Sequence, residues 1–264
     1  MIDVHTHIFN EESYASYKKR ANGRVEKALT IHIAPHGPTQ YPTLESLLLF
    51  IEGKNDLAII ASIDAVGDIP RQLSALEERI KENKIVGLKL YPGYQPFSSN
   101  DPRIIPVAQF CARHSKPLMI HTGDVEDPDR VALLRHAHPS FVDDLAVAVP
   151  TCTIIIAHLG FPYLLEAVNV ISKNKNVYGD MSGTLMDEPG INPKALTEQY
   201  IADVNRALVY FPNTRSKVLF GTDYSGEHLP LRLFDEYIEV VEKVFDQSER
   251  EWVYSGLAKK LFNL

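Results

Sequence analysis

The sequence is poor in cysteine, has no long apolar run and carries no excess of positive charge. Its two cysteines, Cys111 and Cys152, are too few for a disulfide framework and favour a reducing compartment such as the cytoplasm. No apolar run approaches the roughly 20 residues that cross a bilayer, and the first residues, MIDVHTHIFN, lack the basic start and apolar segment of a signal peptide. The formal net charge of −7 argues against binding to nucleic acid. We therefore expect a cytoplasmic protein with neither a membrane nor a nucleic-acid partner.

The composition is that of an ordinary globular domain. The chain has 264 residues, of which 45% are hydrophobic and 23% charged. It contains no repeat, no low-complexity tract and no long linker. We therefore predict a single domain over residues 1–264, large enough to bury a core without disulfide bonds.

Short apolar runs alternate with polar loops and with stretches of helical spacing. Eight such runs lie at residues 2–7, 28–33, 57–64, 85–91, 117–121, 153–158, 177–181 and 218–221. Eight strands alternating with helices in a chain of this length predict a (β/α)8 barrel. A doubly wound open sheet is the alternative, but no G-x-G-x-x-G motif follows an early strand.

The segments between these runs carry helix signals. We predict helices at residues 43–53, 70–84, 162–174, 193–211 and 230–245. Asp101 and Asp127 each precede a proline, which is typical of a helix start. A capping box at residues 248–251 predicts the start of a C-terminal helix.

Five polar side chains occur at or just beyond the ends of four of the runs: His5, His7, His121, His158 and Asp223. At the carboxyl ends of barrel strands, such residues form the usual catalytic set. Two imidazoles two residues apart on one strand share a face. Nitrogen and oxygen ligands suit Zn²⁺, or Mn²⁺, Fe²⁺ or Co²⁺. We therefore predict a divalent-metal site. The Asp223 carboxylate would also accept a proton from bound water. A helix cap is the alternative interpretation of Asp223.

Lys89 lies near the end of the fourth run. A buried lysine is costly unless it is paired. Three interpretations stay open: a carbamate that bridges two metals, a cation that binds an anionic group of the substrate, and a salt bridge inside the barrel.

Other residues have weaker signals. We interpret Asp3 as lying on the same face as His5, where it orients an imidazole or makes a structural hydrogen bond. His32 and His36 flank the end of the second run. His36 either faces the site or, as the favoured interpretation, is a solvated loop residue. His228 either reaches the substrate or is solvated. The pocket candidates, with core packing as their alternative, are Tyr91, Tyr94, Phe97, Met186 and Tyr224.

The long segment at residues 8–27 is a candidate lid, and its basic cluster, residues 18–20, either attracts an anionic substrate or lies on a solvated helix. Residues 209–211 are apolar and would mark a homo-oligomer interface if they are exposed.

Five segments together resemble the amidohydrolase superfamily: IDVHTH at residues 2–7, GLKLYP at 87–92, MIHTG at 119–123, IAHLG at 156–160 and FGTDY at 220–224. They occur in the order typical of this superfamily and span nearly the whole chain. The match is closest to the branch that includes aminocarboxymuconate-semialdehyde decarboxylase. Nuclease and phosphatase barrels with a similar first strand differ from this sequence at the later positions. The sequence departs from the decarboxylase-like branch at one place, where Leu257-Ala258 replaces a common Asn-Ala pair.

The resemblance implies a (β/α)8 barrel with one or two divalent metals. The residues matching His5, His7, His121 and Asp223 bind the catalytic metal in the family. The residue matching His158 binds a second metal or assists at the substrate, and the one matching Lys89 is carbamylated only in binuclear members. The branch is usually mononuclear, which favours one metal, most simply Zn²⁺.

The predicted function is hydrolysis of a small-molecule amide, ester or lactone by a metal-activated water. The alternative is non-oxidative decarboxylation of a small carboxylated substrate at the same metal site. A third hypothesis is a metal-binding barrel without activity, which the complete set of ligand types argues against.

Overall fold

The computed structural model describes residues 1–34, 41–82, 84–125, 132–186, 189–226 and 234–264. Eight parallel strands follow one another around a barrel in chain order. They are β1 (Ile2–Thr6), β2 (Lys27–Ile31), β3 (Leu57–Ser62), β4 (Ile85–Leu90), β5 (Leu118–Ile120), β6 (Ile154–Ile156), β7 (Val177–Asp180) and β8 (Val218–Leu219). The predicted (β/α)8 barrel is confirmed, and the open-sheet alternative is wrong.

The barrel closes between the first and last strands. The Val4 amide donates to the Phe220 carbonyl at 3.1 Å, and the His7 amide donates to the Tyr224 carbonyl at 2.6 Å. Thr6 and Tyr224 also form a parallel bridge. The first and last strands therefore meet along one seam, the β1–β8 seam.

Helices occupy the connections between strands. They are α1 (Glu11–Ala21), α2 (Leu44–Phe50), α3 (Ile69–Lys81), α4 (Ile105–Arg113), α5 (Phe141–Ala148), α6 (Leu164–Lys173), α7 (Pro193–Tyr210), α8 (Phe234–Val244), α9 (Gln247–Glu251) and α10 (Leu257–Phe262). Short 3₁₀ turns cover Pro102–Ile104, Leu134–Ala137, Ala157–Gly160 and Pro212–Lys217, and a π turn covers Trp252–Gly256. No helix in these described ranges is both long and apolar enough to span a membrane.

Helix starts agree with the sequence at some positions and differ at others. The Asp101 carboxylate accepts from the Arg103 amide at 2.9 Å, as a cap does. The capping box predicted at residues 248–251 is wrong, because α9 already begins at Gln247 and its Glu249 carboxylate accepts from the Asp246 amide at 2.8 Å. The cap predicted at Asp127 lies outside the described residues.

The segment predicted as a lid folds largely as α1. Its basic cluster lies on this helix, and Lys18 pairs with Asp56 at 2.6 Å. The solvated-helix interpretation of the cluster therefore holds for Lys18.

β1 has a one-residue bulge in its pairing with β2. Asp3 pairs with Ala28 and Thr6 with Thr30, so three steps along β1 match two along β2. Such a bulge changes which face of the sheet a side chain takes. Val4 packs with the buried side chains of neighbouring strands and of α10, which covers the amino-terminal end of the barrel.

Because of this bulge, the prediction that Asp3 shares the face of His5 is wrong. The Asp3 carboxylate accepts hydrogen bonds from the Tyr17 hydroxyl of α1 at 2.9 Å and from the Thr222 hydroxyl at 2.6 Å. Its role is therefore a structural hydrogen bond between α1 and the end of β8. Burial raises the pKa of Asp3 to about 7, against the hydrogen bonds from Thr222 and Tyr17.

Two tyrosines from the outer helices hold the segment that follows β7. The Tyr200 hydroxyl of α7 donates to the Met181 carbonyl at 3.0 Å. The Tyr237 hydroxyl of α8 accepts from the amides of Thr184 at 3.0 Å and Leu185 at 2.9 Å. These bonds satisfy buried backbone groups that no regular element pairs.

We expect Tyr237→Phe to lower the free energy of unfolding by about 2 to 4 kcal/mol, because two buried amides lose their acceptor. Urea unfolding measures the change. Tyr210→Phe is the matched control, since Tyr210 is 64% exposed, and it should change stability by less than about 0.5 kcal/mol. Equal stability of the two variants would contradict this account.

Candidate metal centre

The five predicted ligands come together at the carboxyl ends of the strands. One ligand atom each from His5, His158 and Asp223 lies within 4.8 Å of the other two. His7 Nε2 lies 3.2 Å from Asp223 Oδ1, and His5 Nε2 lies 3.5 Å from the same oxygen. His121 Nδ1 lies 3.2 Å from His158 Nε2.

Two of these residues lie where the backbone turns sharply after its strand. His158 has φ 60° and Asp223 has φ 60°, both in the left-handed region. Asp and His enter this region more readily than most residues. The turn of Asp223 is fixed by its amide, which donates to the His5 carbonyl at 2.7 Å across the β1–β8 seam.

Asp180 and Ser182, which were not among the predicted site residues, lie behind the imidazoles. Asp180 Oδ2 is 3.2 Å from His5 Nδ1, and Asp180 Oδ1 accepts from the His158 amide at 3.2 Å. The sequence does hold a signal for Asp180, because it lies one residue before the end of the seventh apolar run, as other candidates lie near the ends of theirs.

The remaining two imidazoles have their outer nitrogens bound to backbone carbonyls. His7 Nδ1 lies 3.2 Å from the Ile31 oxygen, and His121 Nε2 lies 2.9 Å from the Asp124 oxygen. A carbonyl only accepts hydrogen bonds, so each of these nitrogens carries the proton. In the neutral form of each ring, the inner nitrogen is then a lone pair.

These lone pairs face other electron-rich atoms. His7 Nε2 faces the Asp223 carboxylate and His121 Nδ1 faces His158 Nε2, each at 3.2 Å. With metal–nitrogen bonds of about 2.0–2.1 Å, two ligands of a tetrahedral zinc site lie about 3.3–3.4 Å apart. The donor set therefore fits a divalent cation in both chemistry and spacing.

Burial keeps three of the imidazoles neutral. Desolvation lowers the pKa of His158 to about 3 and that of His121 well below its ordinary value, where the neighbouring His158 and Lys89 add to the effect. Desolvation and Lys89 likewise lower the pKa of His5. Neutral imidazole is the form that binds metals.

The two buried carboxylates are ionised. Burial raises the pKa of Asp223, but His5, His7 and His158 outweigh it and hold the pKa well below its usual value. Burial acts in the same direction on Asp180, where His5 and His158 again give a net lowering. Two anionic groups therefore face the imidazoles, and this arrangement suits a bound cation.

Lys89 is fully buried, and its amine has no hydrogen-bond partner among the described residues. Its Nζ lies 5.3 Å from the centroid of the Tyr91 ring. No carboxylate in the described ranges lies within ion-pair distance of this amine, so the predicted internal salt bridge is wrong. Desolvation lowers the pKa of Lys89 to about 8, against the attraction of Asp180 and Asp223.

The pocket candidates divide into three groups. Tyr94 and Met186 line a small cavity beside His158 and Asp223, whereas Phe97 is core. Tyr91 lies behind this cavity, stacked on His121, and its buried hydroxyl has no partner among the described residues.

One further candidate is corrected. Tyr224 does not line this cavity, because its hydroxyl donates to the Ser13 carbonyl at 3.2 Å and its ring packs on Tyr17. His32, which flanks the end of the second run, is buried, and its Nδ1 lies 3.0 Å from the Ser62 hydroxyl. His36 and His228 lie outside the described residues.

A family model described as amidohydrolase matches residues 2–264. A search of curated proteins gives no significant match. Among solved structures, an amidohydrolase from Burkholderia multivorans with bound zinc has a TM-score of 0.71 at 15% identity, covering 100% of this chain and 99% of that one.

Two further structures have other reactions in their names. Dihydroxybenzoic acid decarboxylase from Polaromonas sp. JS666, with bound manganese and 2-nitroresorcinol, has a TM-score of 0.66 at 16% identity, covering 100% and 96% of the chains. Dihydroorotase from Campylobacter jejuni has a TM-score of 0.61 at 15% identity, covering 100% and 83%. At these sequence identities the likeness to the three structures concerns the fold alone.

The buried amine of Lys89 should lower stability. Its pKa of about 8 in the folded chain lies below the value of 10.5 in the unfolded chain. We expect Lys89→Met to raise the free energy of unfolding at pH 7 by about 3 kcal/mol, since one pKa unit corresponds to about 1.4 kcal/mol.

This gain should shrink as the pH rises from 8 to 10.5, because there the unfolded wild type binds more protons and the wild type gains stability relative to the variant. Urea unfolding of chelator-treated protein at pH 7 and pH 10 measures both effects. A difference that stays constant across this range would contradict a buried charged lysine.

Proposed function

Because this chain belongs to the amidohydrolase family, we propose that it is a metal-dependent hydrolase that cleaves a small-molecule amide, ester or lactone. The observation that carries the proposal is the cluster of donor atoms at the carboxyl end of the barrel. The inner nitrogen of His121 carries no proton and faces His158 Nε2 at 3.2 Å, and His7 Nε2 lies 3.2 Å from the Asp223 carboxylate. A divalent cation would bind these facing donor atoms.

The proposed ligands are His5, His7, His121 and Asp223, with His158 beside them. We propose one metal rather than two, because the ligand atoms of His5, His158 and Asp223 form one compact group. Zn²⁺ suits this set of imidazole and carboxylate donors, and Mn²⁺, Fe²⁺ or Co²⁺ are the alternatives. When bound, the metal would act as a Lewis acid and lower the pKa of water toward neutrality.

Asp223 is the proposed general base. Its carboxylate is ionised and faces both His5 and His7, so it can accept a proton from the attacking water. The same carboxyl group would return that proton to the leaving group. His158 borders the cavity, where it serves as a further ligand or as a donor to the substrate oxygen, depending on which ring nitrogen carries the proton.

Decarboxylation is the second candidate, and Lys89 is the observation that favours it. A buried amine without a partner near Asp180 and Asp223 would suit the carboxylate of a substrate. Here a protonated Asp223 or His158 would deliver a proton to carbon. Release of CO₂ without consumption of water distinguishes this reaction from hydrolysis.

We expect Asp223→Asn to leave the fold intact and to remove nearly all turnover, because the amide cannot take up the proton. Screening activated esters, lactones and carboxylated aromatics, with and without chelator, identifies the substrate for this comparison. Circular dichroism checks the fold. Retention of most activity by the variant would refute the role of Asp223.

Elemental analysis of protein purified without chelator tests the metal site, together with the native mass of the chain. We expect about one metal per chain and an unmodified mass, because one ligand group is present. His7→Ala should lose the metal. His114→Gln is the matched control and should retain it, since His114 ends α4 at the opposite end of the barrel.

Two results would overturn parts of this proposal. Absence of metal from the wild type would refute the metal-dependent mechanism. About two metals with the added mass of CO₂ would identify Lys89 as a carbamate and refute the one-metal site.

A further inference from the structure

We propose that Ser182 and Asp180 form a positioning pair that keeps the protons of His5 and His158 on Nδ1. Their Nε2 atoms then present lone pairs to the metal centre. The effect on metal binding rests on the proposed function, but the positions of the protons can be measured separately. It also decides between the two roles left open for His158.

Asp180 provides the fixed end of this pair. Its Oδ1 accepts the backbone amides of His158 at 3.2 Å and Ser182 at 3.0 Å, and its Oδ2 lies 3.2 Å from His5 Nδ1. A carboxylate that accepts several N–H groups acts as an acceptor only. Any hydrogen between Asp180 and a neighbour therefore belongs to the neighbour.

Ser182 transmits this constraint to both rings. Its hydroxyl donates to Asp180 Oδ1 in a short hydrogen bond. The same oxygen lies 2.9 Å from His5 Nδ1 and 3.0 Å from His158 Nδ1. A hydroxyl has one proton to give and two lone pairs. With the proton given to Asp180, Ser182 accepts from both rings, so both carry their proton on Nδ1.

This proton count assigns His158 as a ligand. With the proton on Nδ1, His158 Nε2 is a lone pair that faces the lone pair of His121 Nδ1 at 3.2 Å. Neither nitrogen can donate to the other or to a substrate oxygen. The two rings therefore require a cation between them, and His158 cannot act as the donor that polarises a carbonyl.

The backbone around the pair is shaped for this contact. Gly183 follows Ser182 with φ +76°, and a Cβ there would lie 2.2 Å from His158 Nδ1. The segment is held from outside by Tyr200 and Tyr237. Glycine thus allows the His158 ring to lie against the chain where Ser182 can reach its outer nitrogen.

The first test is direct. Two-bond proton–nitrogen NMR of isotope-labelled histidine, on chelator-treated wild type, reports which nitrogen of each ring carries the proton. Comparison with His5→Gln and His158→Gln assigns the signals. We expect both rings to be protonated on Nδ1. Protonation of His158 on Nε2 would overturn the proposal even if no variant of Ser182 folds.

The second test uses Ser182→Ala and Asp180→Asn, with Ser172→Ala as the control, because Ser172 on α6 bonds Asn213 away from the centre. In Ser182→Ala we expect His158 to lose its Nδ1 preference while His5 keeps it through Asp180. In Asp180→Asn we expect both rings to lose it. The control should match the wild type.

The zinc dissociation constant, measured by chelator competition, should rise about 10- to 100-fold in Ser182→Ala and Asp180→Asn. Wild-type affinity in both variants would overturn the positioning role. If the wild type itself bound no zinc, the proposed function would fail, whereas the NMR result would still decide the proton positions.

Discussion

Donor atoms of several imidazoles and one carboxylate, held close together, are the constraint on which the candidate site depends. Backbone carbonyls of Ile31 and Asp124 accept hydrogen bonds from the outer nitrogens of His7 and His121. The inner nitrogens then face Asp223 and His158. Packing and hydrogen bonding stabilise this arrangement, and its electrostatics are complete only with a cation.

The rest of the barrel stabilises groups at the site that are unfavourable by themselves. Left-handed turns at His158 and Asp223, an amine buried at Lys89 and a carboxylate buried at Asp180 are each unfavourable locally. Structure outside the site compensates for them. The segment after β7 shows how, because side chains from α7 and α8 bind its backbone and leave Ser182 free to contact the rings.

Much of this could be predicted from the sequence, because barrel strands are short apolar runs and functional groups follow their carboxyl ends. That rule located His121, His158 and Asp223. It failed for Asp3, since a one-residue bulge in β1 changes the alternation of faces. Asp180 was overlooked although it satisfies the rule. Ser182 could not be found, because its role depends on a turn that brings it against rings from two distant strands.

The seam between β1 and β8 makes the centre depend on both ends of the chain. His5 lies in the first strand and His7 directly after it, and the amide of Asp223 donates to the His5 carbonyl across the seam with the last strand. A nascent or truncated chain without β8 and the residues after it therefore lacks the Asp223 carboxylate. A cation that binds only the closed barrel stabilises it by mass action, about 2.7 kcal/mol at a hundred times its dissociation constant. Metal supply and completion of folding are thereby linked in one equilibrium.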